Sequence, residues 1–365
     1  MHSDTHARVA LSRVPGVGPK TFRALTAYFG SASAVLRAST RELCEVGGVA
    51  EHTARNLRRS DQSCREADRI IAHAERYDIQ IICALDDSFP YRLQPLNNAP
   101  PVLYYFGAAD LNNARSVAVV GTREMSSRGA RQIDRLLDPL ADFAPLIVSG
   151  LAYGVDIYAH RRCLQVGLPT VAVMGSGFDR IYPQAHARTA NQLADNGGGV
   201  LTAYPYWIKP EKDHFPARNR IVAMQSDLTV VVESAARGGS MITARMAHEL
   251  GRKVGACPGR GGDPLSAGCN QLIKSGKAHL IEAAQDVVDL LGWKGHAAGR
   301  QQQLFTDLDP TERAIVELLR DQEGLDIDTL RIGSGSPPGA LASTLLMLEM
   351  KGVVAALPGH AYRLC

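Results

Sequence analysis

The chain has 365 residues, 45% hydrophobic and 21% charged, with 34 glycines and a formal net charge of +3. That length and composition suggest two or three globular domains with ample turn material, at least one of them with a substantial core. A charge this small excludes a molecule-wide basic field, so any nucleic-acid site must be local.

The opening "MHSDTHARVALSRVPG" has no apolar core of signal-peptide length, and no stretch reaches about 18 apolar residues. The seven cysteines (Cys44, Cys64, Cys83, Cys163, Cys257, Cys269, Cys365) are scattered without a C-x-x-C pair. The pattern argues for reduced thiols in the cytoplasm, with no membrane and no zinc site.

Residues 1–80 are read as a small helical domain. "LSRVPGVGPKTFRALTAYFGS" and "LCEVGGVAEHTARNLRR" each read as helix, glycine-containing hairpin, helix. They resemble helix-hairpin-helix and SAM-like modules, whose backbone amides can meet a phosphate. The segment holds 12 Lys/Arg against 9 Asp/Glu, and a packing module without DNA contact stands beside that reading. "GVGPKT" is not a P-loop, because Pro19 separates Gly18 from Lys20.

Residues 81–293 change pattern. Short apolar runs at 79–83, 117–121, 146–150, 170–174, 228–233 and 253–257 alternate with segments of helical spacing such as "RGARQIDRLLDPLADF" and "GVDIYAHRRCLQVG". This alternation predicts a Rossmann-like α/β domain with a buried, mostly parallel sheet, whose ligands bind at the carboxyl ends of the strands. A polar, Gln-rich linker is expected at 294–310. Residues 311–365 read as a winged-helix-like domain with 5 Lys/Arg against 7 Asp/Glu over 310–365. The helix in the recognition position offers only Lys351 as a cation, so the segment reads as a protein-contact module rather than a DNA reader.

The chemistry concentrates at strand ends. Gly121, Thr122 and Arg123 follow "VAVV", and "SSRGA" opens the next helix, an arrangement suited to an anion or to an internal arginine pair. It is not G-x-G-x-x-G, which argues against a dinucleotide cofactor, and no cofactor is expected. In "VSGLAYGVDIYAH", Ser149 and Gly150 face the same rim. Asp156 and His160 stand four apart, but without a third ligand the carboxylate is better read as a partner of the helix dipole than as a metal ligand. "VAVMGSGFDRIYP" supplies Gly175, Ser176 and Gly177. "PEKDHFPARNRIVA" brings Lys212, Phe215, Arg218, Asn219 and Arg220, and "VVVESAARGGSMITA" brings Gly238, Gly239 and Ser240 at a helix start. No catalytic residue stands out: there is no Ser-His-Asp order, G-x-S-x-G elbow or paired catalytic carboxylates.

The ordered set "VAVVGTR", "SGLAYGVD", "MGSGFDRIYP", "FPARNRI", "VVVESAARGGSMITA" and "PGRGGDPLSAGCNQLIKSG" resembles the DNA processing protein A family, DprA/Smf, strongly over about 100–293. The resemblance implies a non-catalytic protein that binds single-stranded DNA with little sequence preference. It further implies a homodimer that protects incoming DNA in natural transformation and helps load the RecA recombinase. On matching positions it implies phosphate contacts from Arg123, Arg218 and Arg220, a base contact from Phe215, added charge from Lys212, and a pocket lined by Ser149, Gly150 and the Gly238–Ser240 turn. From the residues alone, Phe215 could equally be core, and Arg220 could pair with Glu233 or Asp227. Asn219 is better suited to ordering a loop than to touching DNA.

The alternative is an enzyme. The core also resembles the nucleotide phosphoribohydrolases, whose "PGGxGTxxE" loop supplies a glutamate. Here Thr243 is followed by Ala244, Arg245 and Met246, and that carboxylate is missing.

Overall fold

The structure, a computed structural model, describes residues 2–294, 309–319, 324–335, 337–350, 353–357 and 361–364. It divides into two compact units, residues 1–294 and 295–365.

The first unit begins with helices α1 (His2–Arg13), α2 (Pro19–Phe29), α3 (Ala32–Arg37), α4 (Thr40–Glu45), α5 (Glu51–Arg58) and α6 (Asp61–Arg76). Local chemistry sets their ends. Ser31 caps α3 by accepting from the Ala34 N–H, and Ser39 with Glu42 forms a reciprocal capping box on α4. The two glycine hairpins lie side by side: Asn56 donates to the Pro15 carbonyl at 3.0 Å, and a Cβ on Gly16 would press on Thr53 of α5. Helix α1 has two buried faces. Ala7, Leu11 and Val14 join the core of α2–α5, while Val9 and Ala10 join Ala67 and Ile70 of α6 against Cys83, Val102 and Tyr104 of the sheet.

That sheet has, among the described residues, nine strands: β1 (Gln80–Cys83), β2 (Val102–Gly107), β3 (Ser116–Val120), β4 (Leu146–Ser149), β5 (Thr170–Met174), β6 (Gly199–Thr202), β7 (Leu228–Val231), β8 (Lys253–Ala256) and β9 (His279–Leu280). Their order is β1-β2-β6-β5-β4-β3-β7-β8-β9. Strands β3 to β9 pair in parallel, and β2 joins β6 antiparallel, with β1 antiparallel outside it. Helices α7 (Ser127–Leu140), α8 (Val155–Val166), α9 (Ala187–Asp195), α10 (His214–Met224), α11 (Gly239–Glu249), α12 (Ala267–Lys274) and α13 (Ala284–Leu291) connect these strands and pack on the two faces. From β3 the chain runs to β4, β5 and β6 on one side, then returns to place β7, β8 and β9 on the other. The reversal leaves a crevice at the carboxyl ends of β3 and β7, where open α/β sheets take ligands.

The second unit contains α14 (Pro310–Leu319), β10 (Leu325–Asp326), α15 (Ile327–Ser334), α16 (Pro338–Met350), β11 (Val354–Leu357) and β12 (Ala361–Leu364), with the strands in the order β10-β12-β11. Three helices and a small antiparallel sheet in this order make a winged helix. Leu330, Leu341, Leu345 and Leu348 lie in its core, whereas Leu346 and Met347 of α16 are exposed. Lys351 and most of the expected linker at 294–310 fall outside the described residues. Among the described residues no helix is long and apolar enough to cross a membrane.

Candidate functional site

The crevice at the reversal point is a cleft of about 260 Å³. The loop after β3 brings Gly121, Thr122 and Arg123 to it, the loop after β4 brings Gly150, and α10 brings Arg218 and Asn219. The turn into α11 brings Gly238, Gly239 and Ser240. Nine of the thirteen residues expected from the sequence therefore meet in one place.

Each loop is held from behind. Glu233, just past β7, accepts from the Ser126 N–H at 2.9 Å and from Ser126 Oγ at 2.5 Å, while its own carbonyl accepts from the Thr122 N–H at 2.7 Å. Ser126 in turn caps α7. The "GTR" loop is thus tied at both ends to β7. Gly154, at φ 73°, lets the start of α8 pass so close to that loop that a Cβ would strike the Thr122 and Arg123 carbonyls.

Arg218 is the most constrained cation in the cleft. It is only 5% exposed. Its Nη1 donates to the Val173 carbonyl at the end of β5 (2.8 Å), and its Nε donates to Asn219 Oδ1 (2.9 Å). Nη2 has no hydrogen-bond partner among the described residues, and Arg218 lines the cleft. Asp156 shares the site: its Oδ2 accepts from the Gly150 N–H (3.1 Å) and the Ala152 N–H (3.4 Å). Gly150 separates the two charges so tightly that a Cβ there would overlap the guanidinium and come within 2.8 Å of Asp156 Oδ2. Burial lowers the Arg218 pKa and raises that of Asp156; each charge opposes the other's shift, and Arg123 lowers Arg218 further.

The opposite wall is backbone. Helix α11 has Gly238 at its N-cap and no side-chain cap, so the first-turn N–H groups, which have no intrahelical acceptor, carry the positive end of the dipole without a capping side chain. Ser240 Oγ donates to Ser234 Oγ at 2.9 Å. Exposed Arg237 completes the rim. Three arginines and a helix start without a side-chain cap line one cleft, an arrangement suited to an anion. Asp156 is its single carboxylate among the described lining residues.

The remaining expected residues lie elsewhere. Ser149 is fully buried behind the cleft, its Oγ donating to the Val119 carbonyl at 2.6 Å. Phe215 is half-buried outside the cleft, belongs to none of the core clusters, and has the Arg123 guanidinium 5.9 Å from its ring centre. Lys212 is exposed three residues ahead of it. Arg220 is half-buried and pairs with neither suggested carboxylate: Glu233 is occupied by Ser126, and Asp227 by Arg92 and the Ser116 N–H. Helix geometry explains its separation from Arg218, because positions two apart on α10 do not share a face. Arg237 and Asp156 are cleft residues that sequence reasoning did not place there; a cation beside the "GGS" turn was the available signal for the first. No group of His, Cys, Asp and Glu among the described residues could hold a metal ion. His160 is buried with Nδ1 on Thr170 Oγ1 at 2.8 Å, and burial pushes its pKa down to about 3.

Residues 80–292, more than half of the chain, match the family model described as DNA recombination-mediator protein A. The chain belongs to the DprA/Smf family. Further models match at residues 9–60 (a SAM-like helix-hairpin-helix tandem) and 301–360 (a DprA winged helix domain). The putative DNA processing protein DprA of Mycobacterium tuberculosis is 35% identical over 315 residues, covering 81% of this chain and 80% of that protein. Among solved structures, DprA from Streptococcus pneumoniae superposes with a TM-score of 0.67 at 32% identity, covering 80% of this chain and 99% of that one. DNA processing protein A from Helicobacter pylori, a protein whose structural work concerns its single-stranded DNA binding mode, superposes with a TM-score of 0.54 at 29% identity. It covers 60% of this chain and 98% of that one. The helical, Rossmann-like and winged-helix segments thus follow the family architecture.

Proposed function

We propose that this DprA/Smf chain binds single-stranded DNA in the cleft between β3 and β7, without catalysing a reaction on it. It would protect incoming DNA in natural transformation, acting in the cytoplasm as a homodimer that loads the RecA recombinase. The observation that carries the reading is the convergence of Arg123, Arg218 and Arg237 with the uncapped start of α11 on one cleft. Fixed cations and oriented amides grip phosphates irrespective of sequence, and a half-exposed Phe215 beside Arg123 suits a base of any identity. The single-stranded DNA binding mode described for the H. pylori relative supports the same ligand class.

The roles divide by position. Arg123 and Arg237 stand exposed at the rim and would meet phosphates first, whereas Arg218, with Nε and Nη1 already bonded, would offer its remaining N–H groups from a buried seat. Phe215, Lys212 and Arg220 would act outside the cleft as the strand leaves it. Ser149 and Asn219 would position the wall rather than touch the ligand.

Fluorescence anisotropy with labelled oligothymidylate and with duplex of equal length tests the reading. The single strand is expected to bind more tightly, and Arg123→Ala to weaken it about tenfold or more. Binding by that variant at wild-type strength would remove the cleft from the account. Release of free base from nucleoside monophosphates would instead favour the phosphoribohydrolase alternative, for which Asp156, already accepting two N–H bonds, is poorly placed as a base. A strict monomer in sedimentation at micromolar concentration would overturn the dimer.

A further inference from the structure

The loop that follows β5 contributes nothing to the anion cleft, yet it carries an open aromatic ring next to it. Tyr182 is 46% exposed, and its ring centre lies 5.6 Å from that of Phe215, inclined at 48°. The Arg123 guanidinium stands over the Phe215 ring, so Tyr182 is the more open of the two platforms.

The loop is rigid. The Gly177 N–H donates to the Ile208 carbonyl (2.8 Å), the Asp179 N–H to the Tyr206 carbonyl (3.0 Å), and Ser176 Oγ to the Arg180 carbonyl (2.8 Å). Pro183, the next residue after Tyr182, is buried. The exposed ring of Tyr182 thus projects from a loop whose backbone is already ordered by these bonds, which lowers the ordering cost of binding on it. Beyond it opens a second cleft of about 550 Å³, lined by Arg180, Tyr182 and Pro210 among others. The guanidinium of Arg180 is exposed and has no hydrogen bond or ion pair among the described residues.

We propose that Tyr182 is a second base-stacking platform, and that the strand leaves the anion cleft past Phe215, lays its next base on Tyr182, and meets Arg180 with a phosphate. The inference rests on the single-stranded DNA reading of the anion cleft and extends it by one subsite. The ring separation exceeds the roughly 3.4 Å spacing of stacked bases along a strand, and the rings are not parallel. Two bases seated here are therefore parted from each other, a geometry open to a single strand and closed to a duplex. Stacking on tyrosine tolerates any base.

Anisotropy with a short oligothymidylate, and with versions carrying one abasic residue moved along it, tests the subsite in full-length protein. Tyr182→Ala is expected to weaken binding about tenfold, and Tyr182→Trp to keep it. Tyr182→Leu, which retains apolar bulk beside Phe215 but no π face, should behave like the alanine variant. One abasic position should weaken wild type and leave Tyr182→Ala unaffected. If Tyr182→Ala or Tyr182→Leu binds like wild type while Arg123→Ala is impaired, the platform is wrong and the cleft stands. If every abasic position costs wild type and Tyr182→Ala alike, Tyr182 acts only through packing and the inference fails. If wild type binds no single strand, the cleft reading falls and the platform with it.

Discussion

Gly150 shows how much can rest on a missing side chain. It separates a buried arginine from a buried carboxylate, and its N–H is one of the two that hold the carboxylate. Gly150→Ala should therefore displace Arg218, costing about 1–3 kcal/mol of stability through overpacking and weakening DNA binding with it. Because both changes act on one guanidinium, Gly150→Ala combined with Arg218→Ala should weaken binding no more than the worse single change, as a double-mutant cycle would read. Full additivity would mean that Gly150 does not act through Arg218. At this scale the sequence was informative where a residue type has few uses: Gly121, Arg123, Gly150, Arg218, Gly238 and Gly239 meet at one cleft, whereas Arg220 and the glycines after β5 do not line it. Asp156 was legible only as a first-turn carboxylate on α8. Its burial beside Arg218 depends on α10, which is remote in sequence. Tyr182 stood in a quoted motif, but its openness is a property of the folded loop alone.

Elements were legible in proportion to their regularity. The apolar runs that became β3, β4, β5, β7 and β8 are nearly all-hydrophobic and buried on both faces. β2 follows two prolines, β6 is a four-residue strand behind a glycine run, and β9 has two residues, so composition gave each little to show. "HFPARNRIVAM" forms helix α10, and that is why its two arginines part company. Helix α8 carries a test by pH. His160 sits on it neutral and buried, with a pKa of about 3 against an ordinary value of 6.5. Between those values the unfolded chain binds a proton that the native chain does not, so this residue's share of stability is complete above pH 6.5 and declines as pH falls toward 3. Asp156, with its pKa raised, has the opposite sign, favouring the native state as pH falls. Thermal melts should therefore lose stability more steeply in wild type than in His160→Leu between pH 7 and 5, by about 1 kcal/mol per pH unit or less. Parallel curves would show that His160 is not the titrating group.

Across the whole molecule the net charge of +3 conceals a local concentration of cations in and around the cleft. Counterion release turns that concentration into a measurable slope. Each phosphate neutralised on a single strand contributes about −0.7 to the slope of log affinity against log salt. Arg237→Ala, exposed at the rim and bonded to nothing among the described residues, should make the slope shallower by about that amount with little change in melting temperature. An unchanged slope would place Arg237 outside the DNA path. Architecture at this scale was readable because three patterns follow one another: glycine hairpins, alternating apolar runs and helices, then a helical tail with fewer basic than acidic residues. The mixed edge of the sheet was not, since antiparallel pairing of β1 and β2 is decided by the chain that returns as β6.

Helix α1 belongs to two cores at once, and with α6 it roofs the β1–β2 edge of the sheet. Helices α2 to α5 are therefore an excursion inserted between two structural members of the α/β body rather than a bead ahead of it. Evolution can enlarge, shrink or exchange such an excursion at its two adjoining stems without unroofing the sheet. Deleting everything before β1 instead strips Cys83, Val102 and Tyr104 of their cover, and the shortened chain should be prone to self-association through that bared edge.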